Sequence, residues 1–437
     1  MDTITHGIAG ALIAKAIFRG EDMFGSRPGK VAAKEKHGTE DPTQREKHGT
    51  KDPTQREKRG SKDPPLQRSM RGRVVTWSLM LGAIFPDSDV LRDMFSHDKL
   101  LIVTWHRSIT HSLILLPLWS LLLAWVTHAF CKWRKWEAPS FTALSGIYAV
   151  GILSHILLDL VTTFGTMIWS PLEWSRPAWD MIFIVDFTLS GILLAPQLLA
   201  WIYSQPEKMW TRALRTWLVF LLMPLIISRI AEGAGAPVSG RTVLGAMMVI
   251  TAIFLFPALR GWGLQMKYSA WNQAGFAATL VYVALTFFAH RAALARIEKF
   301  AALDHLQAES IGALPLPPSL WHWDGLVRTQ RGVYELRMDL TEQSANGGDV
   351  LAEEHRYFPD APPNSYIEAA RRLPEVQKVL WFARFPVTRF HKEGGESVVE
   401  FSDLRFARMV SSRPSAFTYR VRFGADGNVV SQGWAAQ

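Results

Sequence analysis

The chain of 437 residues is 48% hydrophobic, contains 24 Phe and 18 Trp, and carries a formal net charge of +9. Its single cysteine excludes an intrachain disulfide and the thiolate-rich class of zinc sites. Any metal site must therefore be built from histidines and carboxylates.

The chain opens with a short apolar segment, 1–18, which contains the motif ITHG at 4–7. Asp2 precedes the apolar stretch and no basic region does, so the segment does not resemble a cleaved signal peptide. We interpret it as the first membrane segment.

Residues 19–73 form a polar insert that contains three near-identical copies of the sequence EKHGTEDPTQR between 35 and 68. Leu66 is the only large apolar residue of the repeats, so they cannot bury a core and are expected to be disordered. The insert is strongly basic, which favours a cytoplasmic position near anionic lipid over a nucleic-acid groove. No nucleic-acid partner is expected.

Apolar stretches long enough for membrane helices dominate residues 74–300, because a spanning helix needs roughly 20 apolar residues. The stretches lie at 112–130, 141–163, 181–203, 214–231, 242–260 and 272–290, with shorter ones at 4–18 and 74–86. The sequence therefore predicts an all-α polytopic membrane bundle of about six to eight segments, with the lipid bilayer as its partner.

The composition changes after residue 300, where the Pro-rich stretch ALPLPPSL at 313–320 indicates a boundary. The stretches 331–340, 397–408 and 417–430 are typical of strands, and 360–373 is typical of a helix. We predict a small soluble α+β domain at 318–437.

Five stretches place ionisable residues in or beside apolar segments, where such residues are costly and usually functional. They are ITHG (4–7), GAIFPDSD (82–89), HRSITH (106–111), SHILLD (154–159) and WDMIFIVD (179–186). If the basic connectors at 132–135, 208–215 and 260–267 are cytoplasmic, alternating spans bring all five stretches to the outer face.

The spacing within these stretches suits a metal site. His155 and Asp159 are four residues apart and share one helix face, while Asp87 and Asp89 follow Pro86 on a turning backbone. A donor set of His and Asp without Cys favours a divalent ion, zinc first and Mn²⁺ or Fe²⁺ next. Arg107 could bind a phosphate or stabilise developing negative charge.

Simpler interpretations exist for each residue taken alone. His155 and Asp159 could be a polar pair that joins two helices, and Asp186 could pair with Arg229. Arg229 and Glu232 are expected to form a structural ion pair. The sequence has no P-loop, no GxSxG elbow and no GxGxxG before a helix, so NTPase, serine hydrolase and dinucleotide-binding functions lack support.

The motifs DTITHGIAGAL, LMLGAIFPDSDVL, HRSITHSL, GILSHILLDLVTTFGT and WDMIFIVDF resemble the membrane-bound metal-dependent hydrolase family of YdjM-like inner-membrane proteins. The resemblance covers about residues 1–190 without the insert. That family is distantly similar to zinc-dependent phospholipase C and P1 nuclease.

The resemblance implies roles for individual residues. The implied metal ligands are His6, Asp87, Asp89, His106, His111, His155 and Asp159. Arg107 would be the anion-binding or transition-state residue and, with Asp159, the catalytic pair. Asp180 and Asp186 would orient the histidines from a second layer.

The sequence thus predicts an inner-membrane hydrolase that cleaves a phosphoester, possibly lipid-linked, with a metal-activated water. One alternative is a transporter or sensor for a divalent cation or a proton, which would use the same His/Asp cluster. Another is a non-catalytic membrane scaffold whose C-terminal domain binds a partner.

Overall fold

A computed structural model describes residues 1–18, 70–96, 98, 100–233, 238–317, 319–341, 355–406 and 417–435. The repeat insert predicted at 19–73 lies outside the described residues except for its last four. Those four, 70–73, are not part of a linker but form the first turn of a helix.

Ten helices make up the part of residues 1–303 that the structure describes. They are α1 (Thr3–Ile17), α2 (Met70–Ile84), α3 (Val90–Phe95), α4 (Leu101–Thr104), α5 (Leu116–Arg134), α6 (Phe141–Leu160), α7 (Phe187–Tyr203), α8 (Met209–Gly233), α9 (Gly240–Leu259) and α10 (Tyr268–Leu303). Several begin at a side chain that caps the first turn: Asp2 accepts from the Thr5 amide, Ser140 from Ala143 and Asp186 from Leu189.

Five of the described helical segments are long and apolar enough to cross a membrane. They are Met70–Arg92, Phe141–Leu160, Pro206–Arg229, Gly240–Leu259 and Tyr268–Leu303. A sixth is obtained if Leu101–His111 and Leu116–Arg134, which meet at an angle of 73°, count as one broken span. The apolar helices α1 and α7 are shorter than the other five, so the predicted range of six to eight segments is reached only by including bent or short helices.

The predicted apolar segment 112–130 is not helical from its first residue. Ser112 is extended, and its hydroxyl accepts hydrogen bonds from the amides of Ile114 and Leu115. These bonds replace the first helical turn, and α5 begins only at Leu116, with Pro117 in its first turn.

Helices α1, α2 and α6 pack against one another through glycines. A Cβ atom at Gly10 would stand 2.9 Å from the Leu79 carbonyl oxygen, and one at Gly151 would stand 2.8 Å from the same oxygen. The backbones therefore approach more closely than any side chain allows. This close packing brings together the ends of three helices that carry or precede predicted ligands.

The C-terminal part contains two four-stranded antiparallel sheets, in agreement with the α+β prediction. The first consists of β1 (Ser310–Leu316), β2 (His322–Thr329), β3 (Gly332–Asp339) and β4 (His355–Pro359), in that order. Helices α11 (Ser365–Arg371) and α12 (Pro374–Phe382) follow. The second sheet consists of β5 (Pro386–Glu393), β6 (Glu396–Asp403), β7 (Thr418–Phe423) and β8 (Val429–Trp434), also in order.

Two predicted boundaries of this part differ from the structure. The first sheet begins at Ser310, so the first half of the Pro-rich stretch expected to separate the domains belongs to strand β1; Pro315 is tolerated because β1 lies at the sheet edge. The helix predicted over 360–373 is present but shorter, as α11, and Pro374 begins a second helix, α12, that was not predicted.

The sheets pack against one end of the helical region through two apolar cores. In the first, Ile297 and Phe300 of α10 lie beside Trp323 of β2. In the second, Val103 and Phe164 share a core with α11, α12 and the second sheet.

Polar contacts join the same two parts of the molecule. Arg384 forms an ion pair with Asp180 at 2.8 Å, and Arg405 Nη1 donates to the Thr163 carbonyl at 2.9 Å. Burial raises the pKa of the Asp180 carboxyl, and the neighbouring Arg384 opposes that shift. The C-terminal part therefore rests on the end of the bundle that carries the polar stretches.

Replacing Gly151 by Ala should destabilise the protein, because the added methyl would overlap the Leu79 carbonyl and separate α6 from α2. We expect a loss of about 1–3 kcal/mol of unfolding free energy, seen as a lower thermal unfolding midpoint in detergent. Gly146→Ala in the same helix is the matched control, since a Cβ there meets no atom within 4 Å. The packing argument fails if both variants unfold at the same temperature.

Candidate metal centre

The polar stretches meet where several elements begin or end. His6 lies in the first turns of α1, and Asp87 and Asp89 lie in a 3₁₀ turn, Phe85–Asp89, that follows α2. His106 and His111 lie in the turns between α4 and α5. His155 and Asp159 face the same point from the last turns of α6.

Four of these side chains form a compact donor cluster. One ligand atom from each of Asp87, His111, His155 and Asp159 lies within 4.8 Å of the other three. Both histidines and Asp159 are fully buried, and the Asp87 side chain is only 9% exposed. We call these four residues the metal cluster.

The hydrogen bonds of the two cluster histidines leave their Nε2 lone pairs facing inward. His155 Nδ1 lies 2.7 Å from the Ala83 carbonyl oxygen, which can only accept, so Nδ1 carries the proton. His111 Nδ1 lies 3.0 Å from the Thr110 hydroxyl, which in turn donates to Asp89, so the same tautomer follows. The two Nε2 atoms are 3.0 Å apart.

The cluster therefore has acceptors without a donor between them. Asp159 Oδ2 is buried, has Arg107 Nε beside it at 3.0 Å, and lies 3.3 Å from His111 Nε2 and 3.4 Å from His155 Nε2. Acceptor atoms at such distances repel one another unless a proton or a cation lies among them.

The spacing of the four donors matches a tetrahedral ion. Asp87 Oδ1 lies 3.5 Å from His155 Nε2 and 3.9 Å from His111 Nε2. With the three distances above among His111, His155 and Asp159, these give five of the six edges of the tetrahedron that the four donor atoms form. Metal–ligand bonds of about 2.0–2.1 Å, as zinc makes with His and carboxylates, give edges of about 3.3–3.4 Å. The residues present fit a divalent cation without a large movement.

His6 lies beside the cluster but outside the set of four. Its ring stacks on that of His155 with 3.6 Å between centroids, and its Nε2 lies 3.2 Å from Asp159 Oδ1. The same Oδ1 contacts the Met1 ammonium, so the two oxygens of Asp159 face different sides. His6 Nδ1 is buried without a hydrogen bond in the described part of the chain. His6 and Asp159 Oδ1 are thus the groups that could serve a second ion.

Asp89 and His106, both predicted as ligands, have another position in the structure. His106 Nδ1 lies 2.9 Å from Asp89 Oδ1, and Asp89 Oδ2 accepts from the Arg107 amide and the Thr110 hydroxyl. The 3₁₀ turn sends Asp87 and Asp89 in different directions, so only Asp87 joins the cluster. Asp89 instead holds the turn that carries His111.

Arg107 lies directly against the cluster, as predicted. Its Nε is 3.0 Å from Asp159 Oδ2, and its Nη1 donates to the Thr162 hydroxyl at 3.1 Å. Its backbone is left-handed, with φ of 61°, a conformation that costs a non-glycine residue of order 1–3 kcal/mol. Hydrogen bonds from the Arg107 amide to Asp89 and from the Met167 amide to the Arg107 carbonyl hold that conformation.

Asp180 and Asp186, predicted to orient the histidines, have other partners. Asp180 pairs with Arg384, as described above. Asp186 caps α7 and accepts hydrogen bonds from the hydroxyls of Tyr282, at 2.7 Å, and Ser319. Arg229 pairs with Glu232, as expected, and not with Asp186. Both carboxylates therefore connect the helical region to later parts of the chain.

The sequence prediction missed three groups that position the site. They are the Ala83 carbonyl, the hydroxyl of Thr162 and the ring of Phe164, which lies under the Arg107 guanidinium at 5.0 Å. All three residues lie within motifs quoted above, LMLGAIFPDSDVL and GILSHILLDLVTTFGT, but none of them is ionisable, so the search for ionisable residues passed over them. The same holds for Thr110, which lies within the HRSITH motif.

Comparison with known proteins gives one match. The model of the YdjM inner membrane protein family matches residues 58–235. No curated protein and no solved structure matches the chain, and the distant resemblance to phospholipase C and P1 nuclease gains no support. The four residues of the metal cluster therefore lie within a region that matches the YdjM inner membrane protein family, and this match confirms the resemblance first seen in the motifs.

Proposed function

We propose that this protein is an integral membrane hydrolase that cleaves a phosphoester with the help of a bound divalent cation. The observation that carries the proposal is the metal cluster, in which two imidazole lone pairs and two carboxylates converge on one point. The family match and the apolar helices support a membrane location.

The charges of the metal cluster and of Arg107 support a bound divalent cation and, beside it, an anionic substrate. With neutral histidines, a divalent ion balances the two carboxylates of the cluster, Asp87 and Asp159. Arg107 then contributes a positive charge beside the ion. Within the described residues its Nη2 makes no hydrogen bond, so the guanidinium keeps donors for a phosphate oxygen.

A divalent ion in this cluster would make a water molecule more acidic and would polarise a phosphoryl oxygen. The chain itself supplies the remaining functions. Asp89 and Ala83 fix the two histidine tautomers. Burial of Asp159 and Arg107 excludes bulk water from their contact and strengthens the electrostatic interactions there.

A transport pathway has less support than hydrolysis. Such a pathway needs polar groups that continue toward the other end of the bundle. The buried face of α6 below His155 instead carries Leu144, Ile147, Gly151 and Ile152, with Tyr148 as the one polar side chain. The metal cluster therefore lies at one end of a mainly apolar helix face.

The purified protein, loaded with Zn²⁺, Mn²⁺ or Fe²⁺ and dialysed, should retain at least one ion per chain by elemental analysis. Asp87→Asn and His155→Ala should lose that ion, because each removes one of four donors. Asp339→Asn and His128→Ala are matched controls outside the cluster and should retain it. A wild-type protein that stays metal-free under all three loading conditions would contradict the proposal.

Asp89→Asn should bind the ion with an affinity reduced about 10–100-fold, the usual effect of losing a group that orients a ligand. Its stoichiometry at saturating metal should match the wild type, unlike that of Asp87→Asn. Competition with a chelator of known affinity measures the difference. An equal loss of bound metal in Asp89→Asn and Asp87→Asn would show that Asp89 is itself a ligand.

Arg107→Ala should lower the turnover of a chromogenic phosphodiester or of phospholipid vesicles by about 10²–10³-fold, as removal of a charge-stabilising donor does. Metal content should remain stoichiometric, and Arg107→Lys should recover part of the turnover. Proteoliposomes provide the decisive comparison. Metal flux without any phosphoester cleavage would refute hydrolysis in favour of transport.

A further inference from the structure

A loop rich in tryptophan lies next to the metal centre. Residues 169–179, WSPLEWSRPAW, place three tryptophans at intervals of five residues. Trp169, Trp174 and Trp179 are 46%, 40% and 46% exposed, and Leu172 at the tip is 81% exposed. We call this segment the tryptophan loop. Four large apolar side chains exposed so close together are unusual on a surface that faces only water.

The loop is fixed to the site by hydrogen bonds on both sides. The Met167 amide donates to the Arg107 carbonyl at 2.9 Å, and the Leu113 amide donates to the Ile168 carbonyl at 2.9 Å. Ser112 Oγ donates to the Ser170 carbonyl, and the Trp179 amide donates to the Leu160 carbonyl at 2.7 Å. These hydrogen bonds therefore join the loop directly to the segment that carries Arg107 and His111.

Arg176 strengthens this connection from beneath the loop. Its Nη1 donates to the Val103 carbonyl at 3.1 Å, and its Nη2 donates to the His106 carbonyl. Its guanidinium also lies 5.0 Å from the ring of Phe164, on which Arg107 lies at the same distance. The position of the loop is thus coupled to the position of the residues beside the metal cluster.

Among the described residues, the C-terminal part contacts the loop through Arg176, whose guanidinium lies 5.2 Å from the ring of Phe382, and it also contacts the residues on either side. Phe164, before the loop, is buried in the core shared with α12 and the second sheet. Asp180, directly after the loop, pairs with Arg384. Between these two contacts the indole rings of Trp169, Trp174 and Trp179 remain exposed in the part of the chain that the structure describes.

The loop lies next to an exposed apolar surface of the helical region. It connects the end of α6 to the start of α7, and the bond from Leu113 to Ile168 places it beside the start of α5. Helix α5 exposes Leu118, Leu122 and Trp125. Indole rings with interspersed polar residues, such as Glu173 and Ser175, are typical of the bilayer boundary, where one side of the ring is apolar and the N–H is hydrated.

We propose that the tryptophan loop lies in the headgroup region of the bilayer and holds the metal centre at the lipid–water boundary. The occupant of the exposed surface is phospholipid. If the proposed hydrolase function holds, an amphipathic phosphoester reaches the metal cluster from the leaflet, with its acyl chains in lipid and its phosphate at the depth of Arg107. This second statement rests on the proposed function, whereas the position of the loop does not.

The single cysteine of the chain makes a depth measurement direct. Cys131 is buried and is replaced by Ala to give a background without cysteine. One cysteine is then introduced in place of Leu172 in the loop, Leu122 on the exposed face of α5, or Lys392 on exposed β5, and is spin-labelled. The full-length variants are reconstituted into phospholipid nanodiscs, and collision of the label with oxygen and with a water-soluble nickel chelate is measured by electron paramagnetic resonance.

The label at position 172 should collide more with oxygen and less with the nickel chelate than the label at 392. It should also lie closer to the surface than the label at 122. If the label at 172 is as accessible to the nickel chelate as the label at 392, the loop lies in water and the proposal is wrong. If neither reagent reaches it, protein covers the loop, and the proposal is equally wrong.

Metal analysis of the same samples separates this inference from the proposed function. A chain without bound metal but with the label at 172 in the headgroup region would refute the hydrolase and leave the position of the loop established. Stoichiometric bound metal together with a label at 172 in water would refute the proposed position of the loop and leave the proposed hydrolase function standing.

Discussion

The burial of Asp159 is the constraint on which the rest of the site depends. A fully buried carboxylate is costly unless charged or hydrogen-bonding groups surround it. The chain meets this requirement by bringing Arg107 to Oδ2 of Asp159, and His6 and the Met1 ammonium to its Oδ1. Each partner lies near the start or end of an element, because only the ends of several helices can converge on one residue of α6.

This convergence in turn requires close packing of the helices. Gly10 and Gly151 let α1 and α6 approach the backbone of α2, and the turn after α2 then carries Asp87 into the cluster. The Ala83 carbonyl, which fixes the His155 tautomer, is part of the same contact. Packing and metal-site geometry are therefore not separate properties here, since a wider spacing of α2 and α6 would remove both a ligand and the group that orients another.

The C-terminal part contributes to the same end of the molecule. Phe164 links it to the site, because its ring contacts Arg107 on one side and the core of α12 and the second sheet on the other. Arg405 holds the neighbouring Thr163 carbonyl, and Thr162 receives a hydrogen bond from Arg107. The metal cluster thus lies between the helical region and the C-terminal part, with the tryptophan loop joined to the turn that carries Arg107.

Local signals in the sequence are enough to predict the helical region, the β-structure that follows it and the stretches that meet at the site, because apolar length, strand alternation and ionisable residues beside apolar segments are all read locally. Of the predicted ligands, His111, His155 and Asp159 converge with Asp87 in the structure, and Arg107 lies against them. The sequence could not separate Asp87 from Asp89, or His111 from His106, since residues so near in sequence have the same local pattern. The tertiary structure separates them, because the direction of each donor atom follows from the 3₁₀ turn after α2, the left-handed backbone of Arg107 and the packing of α2 on α6.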